Sequence, residues 1–385
     1  MYRIALKMLV EDKAKFMGMI LGLSFSSLII VQQMAIFMGL IRRTYSAIAD
    51  TPQAHVWVMN PSVKMIDDIN NLREIDLFRI RSIEGVKWAM PMFKGIIRSK
   101  LPNGQFQNCN VIGIDSATLI GGPHTMVEGK LDDLRTPFSI IVDHEGAHDK
   151  LAQDQGPGLP KKPLQVGDTI ELNDRRAQVV GICKVSRTFR SEPVVYTTFG
   201  RALFYVPTER KQLSFILVEP DDTLTPEELC RRIEEVTEFK ALTKTEFEQM
   251  TVDYYMRNTG IPINFGIAVV LGLLVGAAIT GQIFFNFVTD NLKYFALFNV
   301  VGASHSLLVS IILLQASWVA LIGWGIGVGA AAALGIGTQH TQLAFYQPWW
   351  LFFGSGLLMW VICIISSIIS INRIFNIELS SMFKQ

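Results

Sequence analysis

Four long stretches without a charged residue or a histidine constrain this chain more than any other feature. They cover Met17–Ile41, Ile261–Thr289, Ser306–Thr338 and Thr341–Asn372. Each is longer than the roughly 20 apolar residues that cross the hydrocarbon core of a bilayer. Because lipid offers backbone amides no hydrogen-bond partner, each stretch is predicted to be a helix. The sequence therefore predicts a membrane protein with four transmembrane helices.

The charged residues are concentrated between the first two of these stretches. Fifty-six of the 69 lie between Thr44 and Gly260. This distribution predicts one large water-facing domain and excludes an ordinary soluble enzyme or a disordered chain. The formal net charge is only +1, and no basic stripe is interleaved with aromatic residues, so nucleic acid is not an expected partner.

The first stretch could be mistaken for a secretory signal peptide, because Ala47-Ile48-Ala49 resembles a cleavage site. Its 25 residues exceed the roughly 7–15 of a signal sequence's apolar region, so an uncleaved anchor is predicted. Lys and Arg near the ends of the stretches predict that both termini and the loop before Ser306 are cytoplasmic. Arg42 and Arg43 oppose this orientation. The basic residues that favour it are Arg3, Lys7, Lys13, Lys15, Lys293, Arg373 and Lys384.

The chain is thus predicted to consist of a lipid-embedded part and an extracytoplasmic α+β domain between helices 1 and 2. Within that domain we expect an α+β subdomain at about 54–105 and 210–245 and a β-rich insertion at about 106–205. The other predicted boundaries are a cytoplasmic amphipathic helix at 1–15, transmembrane helices at 16–43, 259–289, 306–337 and 345–372, the extracytoplasmic domain at 44–258, a cytoplasmic coupling helix at 290–305 and a cytoplasmic tail at 373–385.

Local patterns support the mixed content of this domain. Thr225-Pro226-Glu227-Glu228 is a capping box with proline at the first helical position. The helix that it opens is predicted to bury Leu229, Ile233 and Val236, which follow helical spacing. A single Cys109–Cys183 disulfide is compatible with the sequence, although four widely spaced cysteines do not form a disulfide framework.

One motif resembles a zinc-protease signature. His144-Glu145-Gly146-Ala147-His148 has the HExxH spacing, in which two histidines on one helical face bind zinc and the glutamate activates water. The preceding residues predict a strand, Gly146 weakens a helix, and no nearby segment supplies a clear third ligand. We interpret His144, Glu145 and His148 as a chance motif in a polar surface turn. No phosphate-binding loop or nucleophile elbow is present, so no catalytic residue is predicted.

The segment from Asp290 to Ser306 predicts a short helix that ends at Gly302. Its Phe295, Leu297 and Phe298 need a cover, which is either a partner protein or the lipid interface. At these residues the chain resembles the membrane subunits of MacB/FtsX-type ABC transporters, most closely DevC-like exporter permeases. Further matches are Ala241–Phe247, Gly272, Gly276, Gln282, Val166–Thr169 and Val179–Gly181.

The resemblance implies that the segment is a coupling helix that docks on a separate ABC ATPase, which binds ATP and Mg. Tyr294 and Asn299 depart from the charged residues that many MacB-like members have there. The implied coupling residues are Asn291, Leu292, Lys293, Tyr294, Phe295, Ala296, Phe298, Gly302, Ala303 and Ser304. A permease homodimer in the inner membrane, a periplasmic adaptor and an outer-membrane duct are also implied, whereas this chain itself is expected to bind no cofactor and no metal.

Small residues four apart allow helices to pack closely. Gly272 and Gly276 in the second stretch, and Gly323 and Gly327 in the third, are predicted helix-packing residues, either within one chain or between two copies. Function stays open at this point. Besides an exporter subunit, the alternatives are an FtsX-like transmitter that activates a cell-wall hydrolase, a lipoprotein-releasing permease and, remotely, an HExxH membrane metallopeptidase.

Overall fold

The computed structural model describes residues 9–154, 160–207, 212–291, 304–338 and 341–382. The chain divides into two compact units. Residues 1–40 and 260–385 form one unit, here called the membrane unit, and residues 41–259 form the other, here called the sheet domain. Most of the predicted amphipathic helix at 1–15 lies outside the described residues.

In chain order the described helices are α1 Lys13–Thr44, α2 Ser46–Ala49, α3 Glu74–Arg81, α4 His144–His148, α5 Phe199–Tyr205, α6 Pro226–Val236, α7 Lys244–Asn258, α8 Ile261–Asp290, α9 His305–Gly337 and α10 Trp349–Met382. The strands are β1 Val56–Met59, β2 Val86–Lys100, β3 Phe106–Ile114, β4 Thr125–Glu128, β5 Ser139–Asp143, β6 Thr169–Leu172, β7 Arg175–Lys184, β8 Val194–Thr198, β9 Phe215–Pro220 and β10 Lys240–Thr243. A 3₁₀ turn covers Leu131–Arg135.

The four long helices confirm the predicted membrane architecture. α1, α8, α9 and α10 are long and apolar enough to cross a bilayer. Their buried residues form a core in which Phe284 and Phe287 of α8 and Ile312 of α9 are almost fully buried. The lipid-facing side remains apolar, as Ile263 and Leu274 of α8 illustrate. The described residues therefore contain four spanning helices with the large domain inserted between the first and the second.

The sheet domain is built on one ten-stranded mixed sheet. Its strand order is β10-β1-β9-β2-β3-β8-β5-β7-β4, and β6 pairs with β2 and β7. Most neighbours are antiparallel, but β3 pairs with β8 and β5 with β7 in parallel. The fold class predicted from the sequence, a large α+β domain between helices 1 and 2, is thus confirmed.

The two expected subdomains are less separate than the sequence suggested. The first half of β2 pairs with β9, whereas its second half pairs with β3 and β6, so one fifteen-residue strand belongs to both. One hydrophobic core also crosses the border, since Trp57 and Met92 share it with Ile141 and Tyr196. A continuous strand and a shared core are expected to make the two halves unfold together.

Turn and cap residues define several element ends. Gly104 has φ +83° in the β2–β3 hairpin, and Asn173 and Asp174 have φ +49° and +59° in the β6–β7 hairpin. These left-handed conformations suit glycine and asparagine. The Thr225 hydroxyl accepts a bond from the Glu228 amide at the start of α6. The prediction that α6 buries Val236 was wrong, because the helix ends there and the side chain is 62% exposed.

Three aromatic rings from β1, β9 and α7 meet in the middle of the sheet domain. Trp57, Phe215 and Phe247 are each fully buried, and their ring centroids are 5.6–5.7 Å apart. Aromatic pairs at this spacing add stability beyond the area that they bury. Phe247 therefore fastens α7, the last helix of the domain, to the central strands.

We predict that Phe247→Ala destabilises the sheet domain by about 3–5 kcal/mol, because it leaves a cavity among the three rings. Hydrogen exchange of the purified chain should show faster exchange of the β1 and β9 amides. Phe78→Ala is the control, since Phe78 is 60% exposed on α3 and should cost little. Equal exchange in the two variants would contradict a role for Phe247 as the anchor of α7.

Candidate functional site

The end of α1 is held by a loop that lies far away in the sequence. The Arg43 guanidinium donates to the Ser191 hydroxyl at 3.2 Å. The Asp50 carboxylate accepts bonds from the Ser186 amide at 2.7 Å and from its hydroxyl at 2.9 Å. Burial raises the pKa of the Asp50 carboxyl, and the two bonds from Ser186 oppose this effect. The loop between β7 and β8 therefore binds the chain at the last turn of α1 and again directly after α2.

The same stretch of chain is held from a second side by α7. The Lys244 ammonium donates to the Ala49 carbonyl at 3.1 Å, and the Lys244 amide donates to the His55 carbonyl at 3.0 Å. Here we call the set Arg43, Asp50, Ser186, Ser191 and Lys244 the α1 clamp. Its two sides are the β7–β8 loop and the first turn of α7.

The start of α7 is itself fixed by a capping box. The Glu246 amide donates to the Thr243 hydroxyl at 3.3 Å, and the Thr243 amide donates to the Glu246 carboxylate at 2.9 Å. The next residue, Phe247, enters the aromatic cluster described above. The segment Ala241–Phe247, which resembles DevC-like permeases in sequence, thus holds Lys244 in a fixed position.

In the membrane unit, all four predicted packing glycines face α1 of the same chain. A Cβ atom on Gly272 or Gly276 would lie 3.1 Å from Ile30 or Ser26. A Cβ atom on Gly323 or Gly327 would come within 2.6 Å of α1 side-chain atoms. A larger side chain would clash with α1 at Gly323 and Gly327 and would force a shift of a few tenths of an ångström at Gly272 and Gly276, so these glycines place α1 close to both α8 and α9.

Only the two ends of the predicted coupling segment lie within the described residues. Asn291 caps the end of α8 by donating to the Phe287 carbonyl at 2.8 Å. Ser304 caps the start of α9 by accepting a bond from the Leu307 amide at 3.3 Å. Asp290 was interpreted from the sequence as the start of the coupling helix, but it is the last residue of α8. The other coupling residues, Leu292, Lys293, Tyr294, Phe295, Ala296, Phe298, Gly302 and Ala303, fall outside the described residues.

An ion pair lies directly before the coupling segment, at the end of α8. The Lys15 ammonium lies between the carboxylates of Asp12, at 2.8 Å, and Asp290. All three side chains are at least one third exposed, so the interaction contributes little stability. Its geometric effect is to join the start of α1 to the end of α8.

The HExxH residues form the short helix α4, directly after β5. The imidazole rings of His144 and His148 stack with centroids 4.1 Å apart, and Glu145 forms an ion pair with Arg187. The described residues contain no group of three or more His, Cys, Asp or Glu side chains that could hold a metal ion. The Asp143 carboxylate caps α4 by accepting the Gly146 amide at 2.7 Å. This arrangement fits a structural turn.

Asp143 also ties the α4 turn to the neighbouring strand. Its second oxygen accepts the Val194 amide at 2.7 Å, and the residue is only 8% exposed. Burial raises the pKa of the Asp143 carboxyl from 3.8 to about 6, against the opposing effect of the Gly146 and Val194 bonds. All four cysteines are free and buried, so the Cys109–Cys183 bridge considered above is not formed.

A polar pair lies on the exposed side of α8. The Gln282 amide donates to the Asn286 side-chain oxygen at 3.3 Å, and both residues are exposed in the single chain. These two polar side chains of the span thus pair with one another. Amide groups that face hydrocarbon are costly even when they pair once, since each has further donors and acceptors.

Sequence reasoning missed the α1 clamp. Arg43 appeared only as a charge that opposed the predicted orientation, and no local pattern marks Ser186 or Ser191 as its neighbours. The available signal was an arginine and an aspartate on either side of a span end, where charged groups need partners. Their partners are more than 130 residues away in sequence, and no single-sequence pattern supplies such pairings.

The buried Asp143 generates a pH prediction. Because the folded chain holds the Asp143 proton more tightly than the unfolded chain, the free energy of unfolding should fall as pH rises from about 4 to about 6. Asp143→Asn keeps one acceptor oxygen but cannot titrate. Thermal unfolding should therefore show the native chain losing stability relative to this variant across that range. Parallel pH profiles for the two proteins would contradict the prediction.

The comparisons with known proteins point to the same family in both units. A profile of the MacB-like periplasmic core domain matches residues 16–236, which is more than half of the chain. A profile of the FtsX-like permease C-terminal region matches residues 266–379. No curated protein sequence matches.

Two solved structures are similar to part of the chain. The extracellular domain of the noncanonical ABC-type transporter YknZ from Gram-positive bacteria is 11% identical, with a TM-score of 0.35, over 49% of this chain and 98% of that one. The periplasmic region of MacB from Actinobacillus actinomycetemcomitans is 15% identical, with a TM-score of 0.38, over 52% and 94%. On the two profile matches, this multi-pass membrane protein belongs to the MacB/FtsX-type family of ABC transporter permeases, which work with an ABC ATPase.

Proposed function

We propose that the chain is the permease subunit of a DevC-like ABC exporter and transmits the motion of a separate ATPase subunit to its sheet domain. ATP and Mg bind on that ATPase, and this chain is not catalytic. The sheet domain lies in the periplasm and passes substrate to an adaptor protein and an outer-membrane duct. Both termini lie on the cytoplasmic side of the inner membrane.

The α1 clamp is the observation that carries this proposal. A helix can move a distant domain only when its end is attached to that domain by several directed contacts. The end of α1 is attached through Arg43, and the α2 turn that directly follows it is attached through the Ala49 carbonyl and Asp50, to two different elements. One of these elements, α7, is anchored by Phe247 and leads into α8. A shift of α1 would therefore pull on the sheet through both sides of the clamp.

We propose that the ATPase acts on the coupling segment from Asn291 to Ser304. Its ends are set by the caps of α8 and α9, and the Lys15–Asp290 pair joins its entrance to the start of α1. An ATPase that displaces this segment would act on α8 directly and on α1 through Lys15. We propose that its apolar residues, including Phe295 and Phe298, are covered by the ATPase.

Two copies of the permease are proposed to pair in the membrane. The exposed Gln282–Asn286 pair supports this arrangement, because a second copy would cover amide groups that otherwise face lipid. The helix surfaces around the four packing glycines are already covered by α1 of the same chain, so they do not form the contact between two copies. The exposed face of α8 is the proposed contact.

The proposal is tested by identifying what co-purifies with the tagged chain from native membranes. We expect an ABC ATPase and a periplasmic adaptor to accompany the native chain. Gly302→Trp should lose the ATPase, because the bulky side chain disturbs the end of the coupling segment. Gly200→Trp is the control, since Gly200 is exposed on α5 of the sheet domain and a Cβ there meets nothing within 4 Å.

Each other outcome identifies a different function. An ATPase that arrives with a cell-wall hydrolase and no adaptor would replace the exporter with an FtsX-like transmitter. An ATPase that arrives with bound lipoprotein and no adaptor would favour a lipoprotein-releasing permease. A chain that purifies alone with stoichiometric zinc, which His144→Ala with His148→Ala removes, would show that the HExxH motif is functional.

A further inference from the structure

An apolar slot lies between α9 and α10, on a side of the membrane unit that the contacts described above do not use. Its volume is about 460 Å³. Its lining includes Ser317, Leu321 and Trp324 from α9, and Phe353, Leu357 and Trp360 from α10. Leu321 is 57% and Leu357 64% exposed, so the slot opens toward the surroundings of the membrane unit.

The spacing of the lining residues gives the slot its shape. On both helices the residues follow one another at intervals of four and then three, which places them on one face. The slot therefore runs along the helix axes for about 10 Å, given the rise of 1.5 Å per residue.

The polar groups of the lining are already satisfied within the helix pair. The Trp360 indole donates to the Ser317 hydroxyl at 3.0 Å, and that hydroxyl donates to the Leu313 carbonyl at 2.8 Å. The Trp324 indole donates to the Ser355 hydroxyl at 3.2 Å. A sugar, peptide or phosphate would lose its own hydrogen bonds to water on entering, whereas a hydrocarbon has none to lose.

Gly356 keeps one wall of the slot in place. A Cβ atom there would lie 3.0 Å from the Trp324 ring, so glycine lets the indole lie closer to α10 than a larger residue would without a shift of the ring. With its nitrogen bonded to Ser355, this ring is held by both packing and a hydrogen bond. The slot is therefore a preformed feature of the helix pair.

The position of the slot along α10 shows whether water or lipid surrounds it. Trp349 and Trp350 are exposed at the start of α10, which is where aromatic side chains mark the membrane–water interface. Phe353 to Trp360 follow four to eleven residues later, or about 6–16 Å deeper along the helix. This depth lies among the acyl chains of the leaflet on the Trp349 side.

We propose that this slot is a lipid-binding site that holds an acyl chain of a membrane phospholipid from that leaflet. The chain lies parallel to α9 and α10, with its headgroup near Trp349. Binding requires neither nucleotide nor transported substrate, so the site is distinct from the transmission function proposed above.

Photo-crosslinking tests this site on the full chain. The chain is reconstituted in vesicles of phosphatidylethanolamine and phosphatidylglycerol, doped with phosphatidylethanolamine that carries a diazirine midway along one acyl chain. We expect the label to concentrate on peptides that contain residues 317–324 and 353–360. Leu357→Trp should fill the slot and lose most of that label. Leu321→Trp, on the opposite wall, should have the same effect, so the test does not depend on one variant folding.

Ile369→Trp is the matched control, because Ile369 is an aliphatic residue on α10 with a similar exposure of 62% that does not line the slot. It should leave the slot label unchanged. Even labelling of the lipid-facing residues of all four helices would overturn the proposal. So would slot labelling that both tryptophan variants leave intact, or labelling of the same peptides by a lipid whose diazirine is on the headgroup.

Discussion

Hydrocarbon gives backbone amides no hydrogen-bond partner, and the rest of this structure depends on that constraint. Chain in the bilayer must be helical, so all strands that the structure describes lie in the sheet domain, between α1 and α8. A domain inserted in this way has two covalent connections to the membrane. One is α1, which continues as a helix to Thr44, and the other passes from α7 to α8 at Thr259 and Gly260. Whatever force reaches the domain through the chain must pass through these two connections.

The contacts of α1 suit it to transmitting force from the membrane unit to the sheet domain. Within the membrane unit, glycines of α8 and α9 let α1 approach so closely that an added Cβ atom would lie only 2.5–3.1 Å from its atoms. At its far end the α1 clamp replaces apolar packing with directed hydrogen bonds. These bonds hold one orientation, since Arg43 and Asp50 each bind a particular serine of the β7–β8 loop. Lys244 of α7 adds a bond to the Ala49 carbonyl at the end of α2, and the aromatic cluster around Phe247 fixes α7 to the central strands.

Sequence reasoning predicted the features that arise from local composition or local spacing. Charge-free stretches revealed the four spans, and the capping box at Thr225 located the start of α6. It failed where distant parts of the chain decide the outcome. Val236 follows helical spacing but lies at the end of its helix, and β2 is shared by two halves that had seemed separate. The α1 clamp joins residues far apart in sequence, which no pattern in one sequence can reveal. The HExxH motif shows the converse, because its spacing is right while Glu145 is engaged by Arg187.

The central claim is that the α1 clamp carries motion from the ATPase to the sheet domain. Its most direct test is the distance between spin labels on Val236→Cys of two paired copies, measured in vesicles with the partner ATPase before and after a non-hydrolysable ATP analogue is added. The native cysteines are all buried, and position 236 is exposed, so labelling is selective. The account predicts a nucleotide-dependent shift that is lost in Arg43→Ala with Asp50→Ala and is kept in Asp222→Ala, which alters an exposed carboxylate elsewhere. An equal shift in the clamp variant, with the ATPase still bound, would contradict the account.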